Sequence, residues 1–230
     1  MGLGAVDPSY GHPLIGSVVR LDRLASAEWR RLRCCDNSVS LIWQLLARKS
    51  LRRGRLVATQ HETGWQHDLY DLLRRKGITQ IAYVPDAGHS ILIDRSLADP
   101  DVHSIPLTTE EEGVALAAGA DLGGARAILL MQSSGVGNCI NMLSLIKGAR
   151  VPFLTLVSMR GDFGEGNPWQ FAMGQATEAV LAAMGVICLR IERREDVIPV
   201  TSAALTMAFK SGQAIAVLLS QRLIGAKPFD

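Results

Sequence analysis

The sequence contains little that would suit a membrane protein or a disulfide-stabilised one. No apolar run approaches the roughly 18 to 20 residues that a membrane-spanning helix needs. Its four cysteines, Cys34, Cys35, Cys139 and Cys188, lack the spacing of metal ligands. Adjacent cysteines such as Cys34 and Cys35 also form a poor ordinary disulfide. We therefore expect a cytoplasmic protein with no membrane partner.

Several familiar catalytic signatures are also missing. The histidines show neither H-x-H nor H-E-x-x-H spacing, so we expect no metal site held by this chain. A P-loop ending and a G-x-S-x-G nucleophile elbow are absent. Gly135 and Gly137 match the first two glycines of G-x-G-x-x-G, but Ile140 occupies the third position. The sequence therefore gives little support to a dinucleotide site.

The charge is distributed unevenly along the chain. Residues 1–56 hold ten basic and four acidic side chains, whereas residues 57–230 hold fourteen basic and eighteen acidic ones. An acidic body with scattered basic residues is a poor surface for counterion-release binding, so we expect no nucleic-acid partner. We interpret residues 1–60 as a basic N-terminal extension, either ill-ordered or an amphipathic docking or targeting arm, and residues 61–230 as the folded domain.

Six apolar runs alternate with helical patterns in the second part. Continuous apolar strands indicate burial on both faces, which is typical of a parallel sheet between helices. Thr63 can cap the first helix and Gly77 can end it. The predicted fold class is α/β, a three-layer sandwich with a six-stranded, mainly parallel sheet flanked by helices. The expected strands are 79–84, 102–107, 126–131, 152–157, 186–190 and 214–219, and the later helices lie near 88–97, 109–122, 138–148, 176–184 and 195–210.

Ligands of such sheets bind at the carboxyl ends of the strands. The segments there are 85–89, 108–112, 132–138 and 158–170, all rich in glycine, polar or charged residues. In the second segment, Thr109 and Glu112 stand in the relation of a capping box, so local helix chemistry accounts for Glu112. This leaves Glu110 or Glu111 for another role.

Two further side chains in these segments have open interpretations. His89 is either a polar residue of a turn or a proton donor or substrate contact. Arg160 is suited to a carboxylate, phosphonate or sulfonate, but a salt bridge with Asp162 or Glu165 is equally consistent with the sequence. The glycines of segment 132–138 either approach a ligand or form only a tight turn.

The order of these segments resembles a known arrangement. The runs VPDAGHSIL, EEEGVALAAGA, LLMQSSGVGN and RGDFGEGNPWQFAMGQAT are similar to the pyrimidine-binding domain of thiamine-diphosphate enzymes, specifically to the alpha subunit of sulfopyruvate decarboxylase and to phosphonopyruvate decarboxylase. The similarity spans roughly residues 63–225. It implies a decarboxylase subunit that converts a 2-oxo acid into an aldehyde and carbon dioxide.

The resemblance also implies roles for individual residues. A glutamate nine residues before the glycine of a small-residue turn contacts the aminopyrimidine in that superfamily, and counting back from Gly119 gives Glu110 as the catalytic residue. The other cofactor contacts that it implies are Pro85, Asp86, Gly135, Val136, Gly137 and Asn138. The implied substrate contacts are His89, Gln132, Ser133, Arg160 and Gln170.

A diphosphate-binding half is missing from the sequence. In the superfamily that half carries a G-D-G motif and holds Mg²⁺, but this chain contains no G-D-G. The resemblance therefore implies a beta subunit that supplies this half, in a hetero-oligomer with thiamine diphosphate at the interface.

The exact substrate stays open at this point. Pro85-Asp86-Ala87 stands where the decarboxylases usually read P-D-S, and Trp169-Gln170-Phe171 where they usually read P-Q-H. The candidates are sulfopyruvate, phosphonopyruvate or a related 2-oxo acid. The alternatives in function are a carboligase of the acetolactate-synthase type and a non-catalytic scaffold subunit.

Overall fold

A computed structural model describes residues 64–226 of the chain. The predicted extension, residues 1–60, and the predicted cap Thr63 lie outside the described residues. The first described helix has Gly64 at its N-cap and ends at Arg75 with Lys76 at its C-cap, and Gly77 follows with a φ of 79°. The predicted glycine stop is thus present, because glycine adopts this left-handed conformation at little cost.

The core of the domain is a six-stranded sheet in the order β2-β1-β3-β4-β6-β5, and every pairing is parallel. The predicted α/β class is confirmed. Strands β3, β4 and β6 are almost wholly buried, while the edge strands β2 and β5 are partly exposed. The strands are β1 Gln80–Tyr83, β2 His103–Pro106, β3 Ala127–Gln132, β4 Phe153–Ser158, β5 Ile187–Ile191 and β6 Ala214–Leu219.

Helices cover both faces of the sheet, which explains the continuous apolar strands. One hydrophobic core joins the sheet to α1, α2 and α7, and the other joins it to α3, α4, α5 and α6. No helix within residues 64–226 combines the length and apolar content needed to cross a bilayer. The helices are α1 Trp65–Arg75, α2 Ser90–Ala98, α3 Glu110–Leu122, α4 Ser133–Cys139, α5 Leu143–Ala149, α6 Phe171–Ala183, α7 Arg194–Ser211 and α8 Gln221–Ile224.

Two predicted boundaries were wrong. Segment 132–138 was expected as a loop before a helix at 138–148, but all of it except Gln132 belongs to the short helix α4, and a second helix, α5, follows. Helix α6 begins at Phe171 rather than near residue 176. In both places glycines weaken the local helical pattern. Tertiary contacts at Gly135 and Gly174, described below, explain why glycine is nevertheless present there.

The topology brings four connections to one edge of the sheet. The chain leaves β1 toward β2 and then returns across β1 to β3, so the direction of winding changes between β1 and β3. A crevice is expected beyond the carboxyl ends of strands at such a switch point. The register pairs Tyr83 with Leu130 and Gln132 with Ser158, which places the ends of β1, β3 and β4 side by side.

Candidate active site

Glu110 opens helix α3 at this edge of the sheet. It is buried, with 8% of its surface exposed. The amide Nδ2 of Asn138 donates a hydrogen bond of 2.7 Å to Glu110 Oε2. This is the only hydrogen bond that residues 64–226 make to the carboxyl group, so Oε1 is available to another molecule.

Gly135 makes the position of Glu110 possible. A Cβ atom at residue 135 would lie 2.2 Å from Glu110 Oε1 and 2.4 Å from its Cδ, well inside van der Waals contact. The glutamate side chain therefore lies directly on the backbone of α4. Glycine at this position allows α3 and α4 to approach each other closely. It does not form the tight turn that was the other interpretation of this segment.

The three glutamates in the first turn of α3 differ in their exposure to solvent. Glu110 is buried, Glu111 is half-buried and Glu112 is exposed. Glu112 Oε2 accepts a hydrogen bond of 2.9 Å from the backbone N–H of Thr108, so it does serve the helix start. The other half of the predicted capping box was wrong, because the Thr109 side chain makes no cap hydrogen bond.

Asp86 joins three strand ends at the switch point. Its carboxylate accepts hydrogen bonds from Ser158 Oγ at 2.5 Å, Gly88 N at 3.0 Å and Gln132 Nε2 at 3.1 Å. Burial acts to raise the pKa of Asp86, but nearby His89 and these hydrogen bonds outweigh it and hold the pKa below its usual value. Asp86 is therefore a fixed negative charge.

His89 lies beneath this loop and not on its surface. It is fully buried, and its Nε2–H donates to the carbonyl oxygen of Met131 at 3.2 Å. Burial lowers the pKa of His89, and the negative charge of Asp86 opposes this effect only in part. Its Nδ1 has no hydrogen-bond partner within residues 64–226. This geometry supports the loop from inside and does not present His89 to the crevice.

Ser133 ties the ends of β3 and β4 together. Its hydroxyl is fully buried, accepts a hydrogen bond from the backbone N–H of Arg160 at 3.0 Å and donates to the carbonyl of Arg160 at 3.3 Å. Next to it, Gln132 Oε1 accepts from Ser134 Oγ at 2.8 Å. Ser133 thus fixes a loop, whereas Gln132 and Ser134 are only half-buried at the crevice.

Arg160 is held by Glu165. Its Nε and one terminal nitrogen donate to the two carboxylate oxygens at 2.6 and 2.8 Å. Glu165 also accepts hydrogen bonds from Asn167 N and from Gln221 Nε2, both at 3.0 Å. Hydrogen bonding to Arg160 is the main cause that lowers the pKa of Glu165 to about 2. The sequence left a salt bridge of Arg160 with Asp162 or Glu165 as the alternative to an anion contact, and the structure contains the one with Glu165, while Asp162 contacts Arg190 at 2.9 Å.

The outer surface of segment 159–171 is aromatic. Trp169 is 84% exposed, and Phe163 and Phe171 are also exposed. The guanidinium of Arg222 lies 3.9 Å from the centre of the Phe163 ring. Between the aromatic residues, the amide oxygen of Gln170 is buried without a hydrogen-bond partner in the described part of the chain. This exposed surface was not predicted from the sequence, in which Trp169 was the available signal.

The remaining predicted cofactor contacts are divided between surface and core. Pro85, Gly137 and Asn138 are exposed, so they can meet a ligand. Val136 is fully buried in the hydrophobic core, so only its backbone can take part. The structure therefore brings Glu110 and Asn138 into contact, and it separately brings Asp86 into contact with Gln132.

A separate cavity of about 460 Å³ opens at the opposite edge of the sheet, where β4 and β6 begin, beside Lys147, Gly185 and Gln213. It lies at the amino ends of the strands, so it is not the crevice expected for this topology. Within residues 64–226, no group of three or more His, Cys, Asp or Glu side chains is arranged to hold a metal ion.

The relatives that match the sequence are decarboxylases or subunits of decarboxylases. The chain is 32% identical to the sulfopyruvate decarboxylase subunit alpha of Methanococcus maripaludis over 152 residues, which are 66% of this chain and 91% of the relative. It is 33% identical to the subunit alpha of Methanocaldococcus jannaschii, covering 65% of this chain and 89% of the relative. It is also 36% identical to phosphonopyruvate decarboxylase of Streptomyces viridochromogenes, over 64% of this chain and 36% of that enzyme.

A solved structure shares the fold. A 2-oxoglutarate:ferredoxin oxidoreductase from Magnetococcus marinus superposes with a TM-score of 0.57 at 18% identity, covering 70% of this chain and 29% of that one. No protein-family model matches the sequence. The similarity to the sulfopyruvate decarboxylase alpha subunits extends over 89–92% of their length at 32–34% identity. The chain therefore belongs to the family of sulfopyruvate decarboxylase alpha subunits.

Proposed function

We propose that the chain is the pyrimidine-binding alpha subunit of a thiamine-diphosphate-dependent 2-oxo-acid decarboxylase. The substrate is sulfopyruvate, phosphonopyruvate or a related 2-oxo acid, and the products are an aldehyde and carbon dioxide. The observation that carries the proposal is the buried Glu110 carboxyl group, which has one oxygen bonded by Asn138 and the other available at the carboxyl edge of the sheet.

The residues at this edge fit an aminopyrimidine. Glu110 Oε1 is available to a ring nitrogen, and the exposed Gly137 offers backbone without a side chain beside it. A bound thiamine diphosphate supplies an electron-accepting ring that stabilises the carbanion left when carbon dioxide departs. Glu110 would bind the pyrimidine nitrogen and share a proton with it through Oε1.

The other side chains around the crevice determine which polar groups a substrate would meet. Asp86 is a fixed negative charge, and its bond to Gln132 sets the direction of that amide at the ends of β1 and β3. Gln170 contributes an amide oxygen that no described residue satisfies. Arg160 holds the loop through its bidentate contact with Glu165, so we assign it a positioning role.

The proposal requires a second subunit. Because the chain lacks the G-D-G motif, we propose that a beta subunit binds Mg²⁺ and the diphosphate, so that the cofactor lies between the two chains. The relatives are named as subunit alpha, which supports a heteromeric enzyme. The exposed aromatic residues beside the crevice are a suitable surface for the second chain.

Reconstitution tests this function. The chain is co-expressed with a G-D-G protein encoded by a neighbouring gene, and the pair and each chain alone are titrated with thiamine diphosphate and Mg²⁺. We expect saturable binding by the pair only, and an aldehyde from sulfopyruvate, phosphonopyruvate or a related 2-oxo acid. A product with a new carbon–carbon bond would indicate the carboligase, and a stable pair without turnover on any of these acids would indicate the scaffold.

A further inference from the structure

We propose that Asn138 is a positioning residue that selects Oε1 of Glu110 as the oxygen that exchanges a proton with the pyrimidine ring. This inference rests on the proposed function, because it assigns a role toward the same cofactor. It changes the expected role of Asn138, which the resemblance gave as a direct cofactor contact. Here Asn138 acts through Glu110.

The selection follows from the chemistry of the amide group. Asn138 Nδ2 can only donate, and it lies 2.7 Å from Glu110 Oε2. Oε2 must therefore direct a lone pair at Asn138, since a proton on the same side would oppose the amide hydrogen. A protonated oxygen is the weaker acceptor, so this hydrogen bond favours a proton on Oε1, the oxygen that has no hydrogen-bond partner within residues 64–226.

Gly135 fixes the same carboxyl group from below. A Cβ at residue 135 would lie 2.2 Å from Oε1, 2.4 Å from Cδ and 2.5 Å from Cγ of Glu110, so any side chain there would displace the whole carboxyl end. Residues 135 and 138 are three apart in α4, which puts them on one face of that helix. Helix α4 thus supplies both the backbone against which the carboxyl group packs and the hydrogen bond to it.

The two contacts restrict the carboxyl group, and neither of them is a hydrogen bond to Oε1. Proton transfer depends on close alignment of donor and acceptor, and a displacement of about 1 Å can cost about 100-fold in rate. Without Asn138, the carboxyl group of Glu110 could rotate. A side chain at residue 135 would instead displace the whole carboxyl group. Both changes should slow proton exchange while leaving the diphosphate-binding half untouched.

The experiment uses the reconstituted complex with thiamine diphosphate and Mg²⁺ bound. The readout is the rate at which the proton on the thiazolium carbon exchanges with deuterium, measured by acid quench and NMR, together with cofactor affinity. The variants are Asn138→Ala, Asn138→Asp, Gly135→Ala and Glu110→Gln. Gly148→Ala is the control, because a Cβ there meets no atom within 4 Å and the residue lies outside the site.

We expect Asn138→Ala to slow exchange about 10- to 100-fold, as expected for a lost hydrogen bond to a charged group, while cofactor affinity changes less than about threefold. Asn138→Asp should slow it further, because two carboxylates would face each other. Gly135→Ala should slow it about 100-fold or more, and Gly148→Ala should exchange like wild type.

The outcomes separate the two proposals. If Glu110→Gln slows exchange but both Asn138 variants keep the wild-type rate, the positioning role is wrong and the proposed function stands. An Asn138→Ala variant that loses only cofactor affinity or thermal stability, with an unchanged exchange rate per bound cofactor, also overturns it. If Glu110→Gln itself exchanges at the wild-type rate, the proposed function fails. Should Gly135→Ala not fold, the two Asn138 variants decide.

Discussion

At the scale of single residues, Glu165 stabilises the loop beside the crevice. Its buried side chain accepts two hydrogen bonds from the guanidinium group of Arg160 and further hydrogen bonds from Asn167 and Gln221. Glu165→Gln removes one partner of a buried ion pair, which typically costs about 3 to 5 kcal/mol. We expect urea denaturation to show a loss of that order. Glu178→Gln, which breaks a 3.6 Å pair with Arg190 at the surface, should change stability by less than about 1 kcal/mol.

Glu165 also sets a dependence of stability on pH. Hydrogen bonding to Arg160 lowers its pKa from 4.5 to about 2 in the folded protein. The stabilisation is therefore complete above pH 4.5 and is lost as the pH falls toward 2, because the unfolded chain takes up the proton first. Unfolding free energies of wild type and Glu165→Gln should converge across this interval. Curves that stay parallel down to pH 2 would contradict the assignment.

Single residues were predictable where the chemistry was local. Glu110 could be singled out because Glu112 has a helix-capping role in the sequence and the resemblance supplied the register. The partner of Arg160 could not be chosen between Asp162 and Glu165, since both lie within five residues and the choice depends on loop closure. The burial of His89 and Ser133 could not be predicted from the sequence either, because it results from the packing of β3 against β4.

At the scale of secondary structure, Gly135 allows α4 to approach Glu110 of α3, and Gly174 allows α6 to approach the loop after β4. A Cβ at Gly174 in α6 would lie 1.9 Å from the carbonyl oxygen of Arg160, a backbone atom that cannot move independently. Gly174→Ala should therefore destabilise the protein by about 1 to 3 kcal/mol or more, as overpacked sites do. Thermal or urea unfolding of the full chain measures this.

Gly119→Ala is the matched control for that substitution. Gly119 is also inside a helix, but a Cβ there meets nothing within 4 Å. We expect Gly119→Ala to stabilise the protein by up to about 1 kcal/mol, because alanine is the better helix former. Equal effects of the two alanines would show that α6 does not pack against Arg160 as described.

The same glycines limited prediction of the helices. The strands were predicted to within two residues, because buried parallel strands are continuous apolar runs that are visible in the sequence. Helix α4 was predicted as a loop, since three of its seven residues are serine or glycine before Val136 and local propensity favours a turn. Its helical structure depends on contacts with α3 and α6, which the local sequence does not contain.

At the scale of the whole molecule, the crevice is bordered by an exposed aromatic surface that we assign to the beta subunit. Trp169→Ala should weaken the complex about 30-fold, which corresponds to a hot-spot loss of about 2 kcal/mol. Leu122 is equally exposed but ends α3 at the opposite edge of the sheet, so Leu122→Ala should leave the affinity unchanged. Calorimetry of the two chains measures both. Wild-type affinity in the Trp169→Ala variant would show that the interface lies elsewhere.

The most direct test compares two adjacent glutamates in the reconstituted complex. Glu110→Gln should lower kcat by about 10² to 10⁴, the usual contribution of general acid–base catalysis. Glu111→Gln, at a half-exposed position in the same helical turn, should retain turnover within a few-fold. Unchanged turnover in Glu110→Gln, or a larger loss in Glu111→Gln than in Glu110→Gln, would contradict the assignment of Glu110 to the cofactor.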